Sequence, residues 1–503
     1  MAPKTNGQVI LVGAGPGDAG LISLRGIEWL QRADVVLYDY LVNPEILNHT
    51  KESCETICLG QHGRSKIWPQ QRICERLVQE ASDGKTVVRL KSGDPIVFGR
   101  AADELDALVE HSIHFEIVPG ITAALAAGAY AGIPITHRDH ASAVALITGQ
   151  ESASKTESSL NYDALARFPG TLVIYMGITT APKWTTGLLN AGMAEDTPVA
   201  IIRRCSWPNQ KTIRCQLSEV VEKLTPYSKF PPPAIAIVGA VAQTQTVSSW
   251  FESRPLFGQR ILVCRPRDQA AELGELLLDQ GADVLYQPAI QIGDPPDWKP
   301  VDDAISRIDE FDWLVFSSAN GVRKMLNRIF DLGHDVRILA KLKIAAIGPV
   351  TAHALREFGL SCDAQPTEYR AEALAATLSE HANGARFLLA RASRGRDTLA
   401  TQLNAAGGVV EQIVVYSSSD VSDPDPKIRQ SMKDGEISWV IASSSSIARS
   451  VHSLFGTDLN HTRLASISPI TTKTLNDVGL TVELEATEYS MQGLVDALVS
   501  YRS

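Results

Sequence analysis

The stretch from Val9 to Asp18 constrains the fold of this chain more than any other. It reads Val-Ile-Leu-Val-Gly-Ala-Gly-Pro-Gly-Asp, so four apolar residues lead directly into a loop with almost no side chains. The apolar run is typical of a buried strand, and the glycines and proline that follow indicate a turn. Because glycine has no Cβ, the backbone N–H groups of such a loop can come close to a ligand. We therefore expect a buried strand that ends at a ligand-binding loop.

This loop departs from the dinucleotide-binding fingerprint Gly-x-Gly-x-x-Gly. Gly13 and Gly15 fit the pattern. Pro16 removes a backbone donor, however, and Asp18 stands where the third glycine is expected. The loop is therefore either a poor dinucleotide site or a site for a different nucleotide-like ligand.

Composition excludes several classes of protein. With 503 residues the chain is long enough for about three domains. The net charge of −10 disfavours nucleic acid as the main partner, because neutralising phosphates needs a basic face. No apolar run is long enough to span a membrane. The polar start lacks a signal-peptide pattern, and the seven cysteines are scattered without metal-ligand spacing. We expect a cytoplasmic protein with reduced thiols and no metal site.

Residues 1–250 alternate short apolar runs with helical patterns, which predicts an α/β fold. The predicted strands are Val9–Val12, Val35–Tyr38, Thr56–Cys58, Thr86–Leu90, Phe115–Val118, Val144–Thr148, Thr171–Tyr175, Val199–Ile202, Lys211–Gln216 and Ala234–Val238. Trp250–Phe257 breaks this alternation, and a new strand begins at Gly258. We therefore predict two domains, residues 1–250 and residues 258–503.

The second of these domains contains an internal repeat. Phe311-Asp-Trp-Leu-Val-Phe-Ser-Ser matches Ile437-Ser-Trp-Val-Ile-Ala-Ser-Ser, and Ala346-Ile-Gly-Pro-Val-Thr matches Ser466-Ile-Ser-Pro-Ile-Thr. Two copies are too few for a solenoid. They fit two similar α/β lobes with a cleft between them, which is where ligands usually bind.

Several loops in the first domain follow apolar strands and are rich in glycine, which favours a small ligand held largely by backbone groups. The motifs are Gly13-Ala-Gly-Pro-Gly-Asp, Gly93-Asp-Pro with Phe98-Gly-Arg, Val118-Pro-Gly-Ile-Thr-Ala, Pro134-Ile-Thr-His-Arg and Tyr175-Met-Gly. Together they resemble the uroporphyrinogen-III C-methyltransferases over about residues 7–245.

That resemblance implies two α/β lobes, of about residues 1–150 and 160–250, a homodimer, and S-adenosylmethionine bound in a cleft. It also implies that a tetrapyrrole is methylated on two rings to give precorrin-2, a precursor of sirohaem and cobalamin. The cofactor contacts that it implies are Pro16, Ser92, Gly93, Asp94, Val97, Thr122, Ala123, Met176 and Cys205. Cys205 departs from the family, which usually has glycine at this position.

By the same resemblance Asp39 is the acceptor of the proton that is lost when a ring carbon is methylated. Its other interpretation is a loop aspartate that caps the next segment. The candidates for binding the substrate are Arg100, Asp103 and Arg138, of which the two arginines would bind its carboxylates. Either arginine could instead be an exposed salt-bridge residue. Two positions depart from the family pattern. Gln61 replaces a lysine proposed as proton donor, and Asp103 replaces a glutamate.

In the second domain, arginines follow the first strand of each repeat, and hydroxyl residues end later strands. The candidates for binding a carboxylate-rich ligand are Arg265, Arg391, Ser444 and Thr471, although the last two could instead cap helices. Phe316-Ser-Ser-Ala-Asn-Gly-Val, Ile347-Gly-Pro-Val-Thr-Ala, Val414-Val-Tyr-Ser and Ile467-Ser-Pro-Ile-Thr resemble uroporphyrinogen-III synthase.

The synthase resemblance implies one lobe of about residues 258–293 with 421–503 and another of about 294–420. It implies cyclisation of hydroxymethylbilane with inversion of the last pyrrole. Tyr416 matches a tyrosine suggested to assist departure of the substrate hydroxyl, and its other interpretation is a core tyrosine at a strand end. The sequence as a whole therefore predicts a fused enzyme that makes uroporphyrinogen III and methylates it. The alternatives are a two-lobed binding or sensor protein and a nicotinamide-dependent dehydrogenase.

Overall fold

A computed structural model describes residues 7–60, 67–151, 159–224, 230–244, 249–394 and 397–501. The chain divides into two compact units. The first comprises Met1–Gln259 with Leu277–Asp283, and the second comprises Arg260–Leu276 with Val284–Ser503. Each unit contains two five-stranded sheets with helices packed against them, so both are α/β. Among the described residues, no helix has the length and apolar character needed to cross a membrane.

The first lobe of unit 1 is built on a parallel sheet. Its strands are β1 (Gln8–Gly13), β2 (Val35–Tyr38), β3 (Glu55–Cys58), β4 (Thr86–Lys91) and β5 (His114–Val118). Its helices are α1 (Leu24–Arg32), α2 (Gln70–Ser82), α3 (Ala101–Glu110) and α4 (Ala123–Ala131). The strands lie in the order β3-β2-β4-β1-β5, and every pair is parallel. All five strands therefore end at the same edge.

Strand β1 shows why this sheet forms where the sequence predicted it. Ile10 and Val12 pack into the core on one face, while Val9 and Leu11 pack into the core on the other. Successive side chains of a strand point to opposite faces, so an uninterrupted apolar run fits a sheet that is covered on both sides.

The second lobe of unit 1 has a mixed sheet. Its strands are β6 (Val144–Thr148), β7 (Thr171–Tyr175), β8 (Pro198–Arg203), β9 (Lys211–Gln216) and β10 (Ala234–Val238). Its helices are α5 (Tyr162–Ala166), α6 (Ala181–Asn190) and α7 (Val220–Lys223). The order is β6-β7-β10-β8-β9, with β6 parallel to β7 and the other pairs antiparallel. Because β7 and β8 both run antiparallel to β10, they end at the same edge of this sheet.

Unit 2 contains the remaining two sheets. The first joins β11 (Arg260–Val263), β12 (Asp283–Tyr286), β18 (Trp439–Ala442), β19 (Arg463–Ser466) and β20 (Leu484–Glu485) in the order β12-β11-β18-β19-β20. The second joins β13 (Ile290–Gly293), β14 (Trp313–Phe316), β15 (Lys343–Ala346), β16 (Arg386–Ala392) and β17 (Val409–Asp420) in the order β13-β17-β16-β14-β15. The first sheet thus combines strands that are far apart in the sequence.

The helices of unit 2 follow these strands. They are α8 (Arg267–Asp279), α9 (Lys299–Ser306), α10 (Ala319–Asp331), α11 (Pro349–Glu357), α12 (Ala371–Ser379), α13 (Thr398–Ala405), α14 (Pro426–Lys433), α15 (Ser445–Phe455), α16 (Pro469–Asp477) and α17 (Met491–Ser500). The sequence repeat corresponds to equivalent elements. The Oγ of Ser318 caps α10 by accepting from the Gly321 amide, and the Oγ of Ser444 caps α15 by accepting from the Ile447 amide.

Candidate functional site

Three glycine turns meet at the edge where the strands of the first sheet end. The Gly15 amide donates to the Gly93 carbonyl at 3.2 Å, and the Gly93 amide donates to the Gly15 carbonyl at 2.7 Å. A Cβ on Gly120 would overlap the Gly93 carbonyl oxygen, and a Cβ on Gly13 would overlap the backbone of Gly120. The loops after β1, β4 and β5 therefore pack backbone against backbone, which requires glycine at these positions.

Asp94 holds two of these loops together. Its Oδ2 accepts from the Gly120 amide at 3.0 Å, and its Oδ1 accepts from the Ile96 amide at 2.8 Å. Asp94 is one of the predicted cofactor contacts, and in the structure it fastens the loop after β4 to the loop after β5. The loops that would contact a ligand are thus ordered by the protein itself.

The second lobe contributes Tyr175, the last residue of β7, to the same place. Its hydroxyl lies 2.6 Å from Thr122 Oγ1 and accepts from the Ala124 amide at 2.9 Å, so it holds the start of α4. Its ring packs against Phe98 with 4.9 Å between ring centroids. Burial raises the pKa of Tyr175, which keeps the phenol protonated.

Backbone strain is concentrated around this site. Six described non-glycine residues have positive φ, and five of them follow strands β4, β7 or β8, namely Phe98, Arg100, Met176, Arg204 and Ser206. This conformation is unfavourable for residues with a Cβ and is commonly found at functional sites. Phe98 and Met176 are also exposed apolar side chains, at 40% and 47%. Strained and exposed apolar residues at the end of a sheet are suited to contact a ligand.

Asp18, which breaks the dinucleotide fingerprint, joins the two lobes. Its Oδ2 accepts from the Tyr130 hydroxyl at 2.8 Å, and its backbone amide donates to Ser206 Oγ at 3.0 Å. Burial and the nearby Asp18 carboxylate raise the pKa of Tyr130. The residue that replaces the third glycine therefore fixes the loop after β1 against α4 and the loop after β8.

Asp39, the predicted proton acceptor, follows β2 and belongs to a chain of four alternating charges. Asp39 Oδ1 accepts from Arg89 Nη2 at 2.5 Å. Arg89 Nε donates to Glu104 Oε1 at 2.9 Å, and Lys91 Nζ donates to Glu104 Oε2 at 2.8 Å. Arg89, Lys91 and Glu104 are buried, whereas the Asp39 side chain is 31% exposed. Asp39 is thus the one carboxylate of the set that is accessible.

Sequence reasoning missed the three buried members of this chain of charges. The signal was present, because Thr86-Val-Val-Arg-Leu-Lys places two basic residues inside an otherwise apolar strand. Lysine and arginine are almost never fully buried unless they are paired. The two cations therefore indicated a buried carboxylate partner, and the structure identifies it as Glu104.

The structure places the predicted substrate-binding residues of unit 1 at the surface. Arg100 Nε donates to Asp103 Oδ2 at 2.8 Å in an exposed pair at the start of α3. Arg138 is 89% exposed and contacts Asp139 at 3.3 Å. Gln61 lies outside the described residues.

Cys205 is placed differently from the exposed arginines. Its thiol is buried against the Ala123 carbonyl, at 3.8 Å, and burial raises its pKa to about 12. The side chain that replaces the family's glycine is therefore directed into the core. Val97 is partly buried against the same core cluster, and Pro16 is partly buried in the loop after β1.

In unit 2, Tyr416 lies in β17 and is 7% exposed. Its hydroxyl is 3.0 Å from Ser318 Oγ, the cap of α10, and burial raises its pKa. Arg391 Nη1 donates to Asp397 and Gln412, each at 2.6 Å. Tyr416 and Ser318 are therefore brought together at the end of the second sheet of this unit.

The other predicted residues of unit 2 lie near the first sheet. Arg265 Nη1 approaches Met491 Sδ at 3.4 Å. Ser444 caps α15, and Thr471 is buried with its Oγ1 3.2 Å from Ser468 Oγ. Ser444 therefore does cap a helix, the second of the two roles considered for it.

Comparisons with known proteins agree with this division of the chain. The family of Tetrapyrrole (Corrin/Porphyrin) Methylases matches residues 8–221, and the family of Uroporphyrinogen-III synthase HemD matches residues 271–496. The porphyrin biosynthesis protein HemD of Ruminiclostridium josui is 36% identical over 442 residues, which are 88% of this chain and 87% of that protein. The uroporphyrinogen-III C-methyltransferase of Bacillus subtilis is 39% identical over 68% of this chain and 70% of that protein.

A solved structure is also similar to part of this chain. The uroporphyrin-III C-methyltransferase from Thermus thermophilus, determined in complex with S-adenosyl homocysteine, is 34% identical and covers 47% of this chain and 93% of its own, with a TM-score of 0.40. The chain therefore belongs to the bifunctional tetrapyrrole biosynthesis enzymes that fuse a uroporphyrinogen-III C-methyltransferase to a uroporphyrinogen-III synthase of the HemD family.

Proposed function

We propose that the chain catalyses two consecutive steps of tetrapyrrole synthesis. The second unit cyclises hydroxymethylbilane to uroporphyrinogen III with inversion of the last pyrrole. The first unit methylates that product twice, giving precorrin-2. The observation that carries the proposal is the meeting of the Gly15, Gly93 and Gly120 turns beside the strained residues Phe98 and Met176.

The residues around these turns fit S-adenosylmethionine. Gly93 has positive φ, which favours glycine, and a Cβ there would make only ordinary van der Waals contact with Ala123 and Thr122, at 3.7 Å and beyond. Phe98 and Met176 offer exposed apolar contacts for an adenine or a thioether. When bound, the cofactor supplies a methyl group on a positively charged sulfur. The proposed contacts are Pro16, Ser92, Gly93, Asp94, Val97, Thr122, Ala123, Met176 and Cys205.

Asp39 is proposed to accept the proton released from the substrate ring carbon. An ionised carboxylate can take a proton only if it is accessible, and Asp39 is the partly exposed member of its charge chain. Its Oδ2 also accepts from the Ser92 amide at 3.3 Å, which fixes it beside the loop after β4. The carboxylate is thus held next to the proposed cofactor contacts.

Uroporphyrinogen III carries many carboxylates, and we propose that Arg100 and Arg138 bind them. Both guanidinium groups are exposed, and the partner of Arg100 is the surface residue Asp103. Surface ion pairs contribute only about 0–1 kcal/mol, so a substrate carboxylate can take the place of Asp103 at little cost. The methyltransferase resemblance also leads us to propose a homodimer.

In the second unit we propose that Tyr416 donates a hydrogen bond to the departing hydroxyl of hydroxymethylbilane. The raised pKa of Tyr416 keeps its proton in place at neutral pH. Arg265, Arg391, Ser444 and Thr471 are proposed to contact the carboxylates or pyrroles of the folded substrate. The protein mainly holds the linear chain so that the correct carbon attacks.

One experiment tests both activities in the full chain. Wild type, D39N and Y416F are each incubated with hydroxymethylbilane and methyl-labelled S-adenosylmethionine. We expect D39N to cyclise normally and to methylate about 100-fold or more slowly, the usual effect of losing a general base. We expect Y416F to cyclise about tenfold or more slowly, because one hydrogen bond to a charge-developing group is lost. Y416F should still methylate uroporphyrinogen III that is supplied directly.

Three results would contradict this proposal. They are wild-type protein that puts no label into a tetrapyrrole, turnover of a nicotinamide cofactor, and ligand binding without any turnover. Methylation by D39N at the wild-type rate would remove only Asp39 from the mechanism.

A further inference from the structure

We infer that Arg89 is a positioning residue for methyl transfer, because it holds and orients the carboxylate of Asp39 and is itself fixed by Glu104. The inference rests on the proposed role of Asp39 as proton acceptor and extends it. It concerns a buried side chain in β4 that was not among the residues predicted from the sequence motifs.

Both oxygens of the Asp39 carboxylate are fixed by the end of β4. Oδ1 accepts from Arg89 Nη2 at 2.5 Å, and Oδ2 accepts from the Ser92 amide at 3.3 Å. The backbone of Asp39 is also held, since its amide donates to the Leu90 carbonyl at 3.1 Å. The rotation of the carboxylate is thus set by one side chain and one loop amide. Of these two donors, only Arg89 can be removed by a side-chain substitution, because the other is the backbone amide of Ser92.

The guanidinium of Arg89 is itself held from every side. Its Nε donates to Glu104 Oε1 at 2.9 Å. Its Nη1 donates to the carbonyls of Leu90 at 3.1 Å and Leu37 at 3.4 Å. All three nitrogens are therefore engaged, and Nη2 is the one that faces Asp39. A lysine has a single nitrogen on a flexible stem and cannot reproduce this fork.

The charges around the buried Arg89 guanidinium alternate in sign, so each buried charge has an opposite charge beside it. Arg89 lies between the carboxylates of Asp39 and Glu104, and Glu104 lies between the cations of Arg89 and Lys91. Burial disfavours the charged guanidinium, but the two carboxylates raise the pKa of Arg89 overall. Burial and the Arg89 cation lower the pKa of Lys91, against the opposing effect of Glu104. Removing Arg89 leaves Glu104 paired with Lys91, so the interior keeps a neutral pair.

Within the part of the chain that the structure describes, few charged and titratable groups face Asp39. Arg89 contacts it directly, Glu104 and Lys91 act through Arg89, and Tyr40 lies close enough for Asp39 to raise the pKa of its phenol, after burial. Arg89 is the one cation among them in direct contact. Removing Arg89 therefore takes away the charged partner that fixes the orientation of the Asp39 carboxylate.

The test compares R89M, R89K and a matched control, R76M, in the full chain. Arg76 bonds a buried carboxylate in the same lobe, with its Nε 2.5 Å from Glu80 Oε1, and lies outside the site. Methylation with labelled S-adenosylmethionine is followed as the concentration of uroporphyrinogen III is varied, which gives kcat and KM separately. Binding of S-adenosylhomocysteine is measured by calorimetry, and folding by thermal denaturation.

We expect R89M to lower kcat about 10-fold to 100-fold, the effect of a misplaced catalytic group, with the KM for uroporphyrinogen III and the binding of S-adenosylhomocysteine unchanged. R89K keeps the positive charge but loses the fork, so it should also lower kcat with KM unchanged. R76M should change neither kcat nor KM, although it loses an ion pair to a buried carboxylate.

The inference is overturned if folded R89M methylates with the wild-type kcat. It is also overturned if R89M and R76M lower kcat in parallel, or if R89M raises KM and weakens S-adenosylhomocysteine binding as much as it lowers kcat, because Arg89 would then have only a structural role. A wild-type chain that transfers no methyl group at any pH would contradict the proposed function, and this inference with it.

Discussion

Arg89 and Lys91 lie inside strand β4, whose other central residues are apolar and buried. A buried ion pair is often no more stabilising than apolar residues of the same volume. The two cations are therefore better explained by their role in holding Asp39 than by a contribution to stability. Arg89 contacts Asp39 directly, and Lys91 acts through Glu104. Asp39 was predicted from the family resemblance, whereas Glu104 was not predicted, since its partners are brought close only by the fold.

Glu80 provides a prediction about stability at the level of one residue. Burial alone would raise the pKa of Glu80, but hydrogen bonds from Lys85 and Arg76 lower it below its ordinary value of 4.5. A carboxylate with a lowered pKa stabilises the folded state above its unfolded value, and this contribution is lost as pH falls through the folded value. We expect E80Q to lower the free energy of unfolding at pH 7 by about 1–3 kcal/mol.

Denaturant unfolding of wild type and E80Q across pH checks this expectation. The difference between the two proteins should shrink as pH falls from about 4.5 through the lower folded-state pKa of Glu80, because the carboxyl takes up its proton first in the unfolded chain and then in the folded one. A difference that stays constant down to pH values well below that point would contradict the assigned role of the Glu80 charge.

At the level of elements, the contact between the three glycine turns predicts that alanine is tolerated at some glycine positions and not at others. A Cβ on Gly120 would overlap the Gly93 carbonyl, whereas a Cβ on Gly20 would meet only the tip of Asp18 at 3.2 Å. We expect G120A to lower the free energy of unfolding by about 1–3 kcal/mol, as overpacking does, and to weaken S-adenosylhomocysteine binding. G20A should change both far less. Thermal denaturation and calorimetry distinguish the two variants, and equal effects would contradict the account of these turns.

The strands of unit 1 could be predicted well from the sequence because their signal is local. Val35–Tyr38, Val144–Thr148 and Ala234–Val238 have the same bounds in the structure as in the prediction. The hydroxyl of Tyr175 against Thr122 could not be predicted, since 53 residues separate them and nothing in either segment specifies the other. Local patterns thus predicted where the loops are, and tertiary packing determined which side chains order them.

On the scale of the whole molecule, the chain combines two α/β units that each have their own sheets and cores. The internal repeat of the second unit was legible in the sequence and corresponds to equivalent strands and capped helices, such as β14 with α10 and β18 with α15. The function of the first unit was indicated by its glycine motifs instead. The methyltransferase activity of the first unit therefore depends on whether these glycine turns bind S-adenosylmethionine.

A crystal structure of the full chain with S-adenosylhomocysteine tests that claim most directly. Our account predicts that the ligand lies between Pro16, Asp94 and Met176, beside the turns of Gly15, Gly93 and Gly120. A structure in which this space is empty while the ligand is bound elsewhere, or not at all, would contradict it.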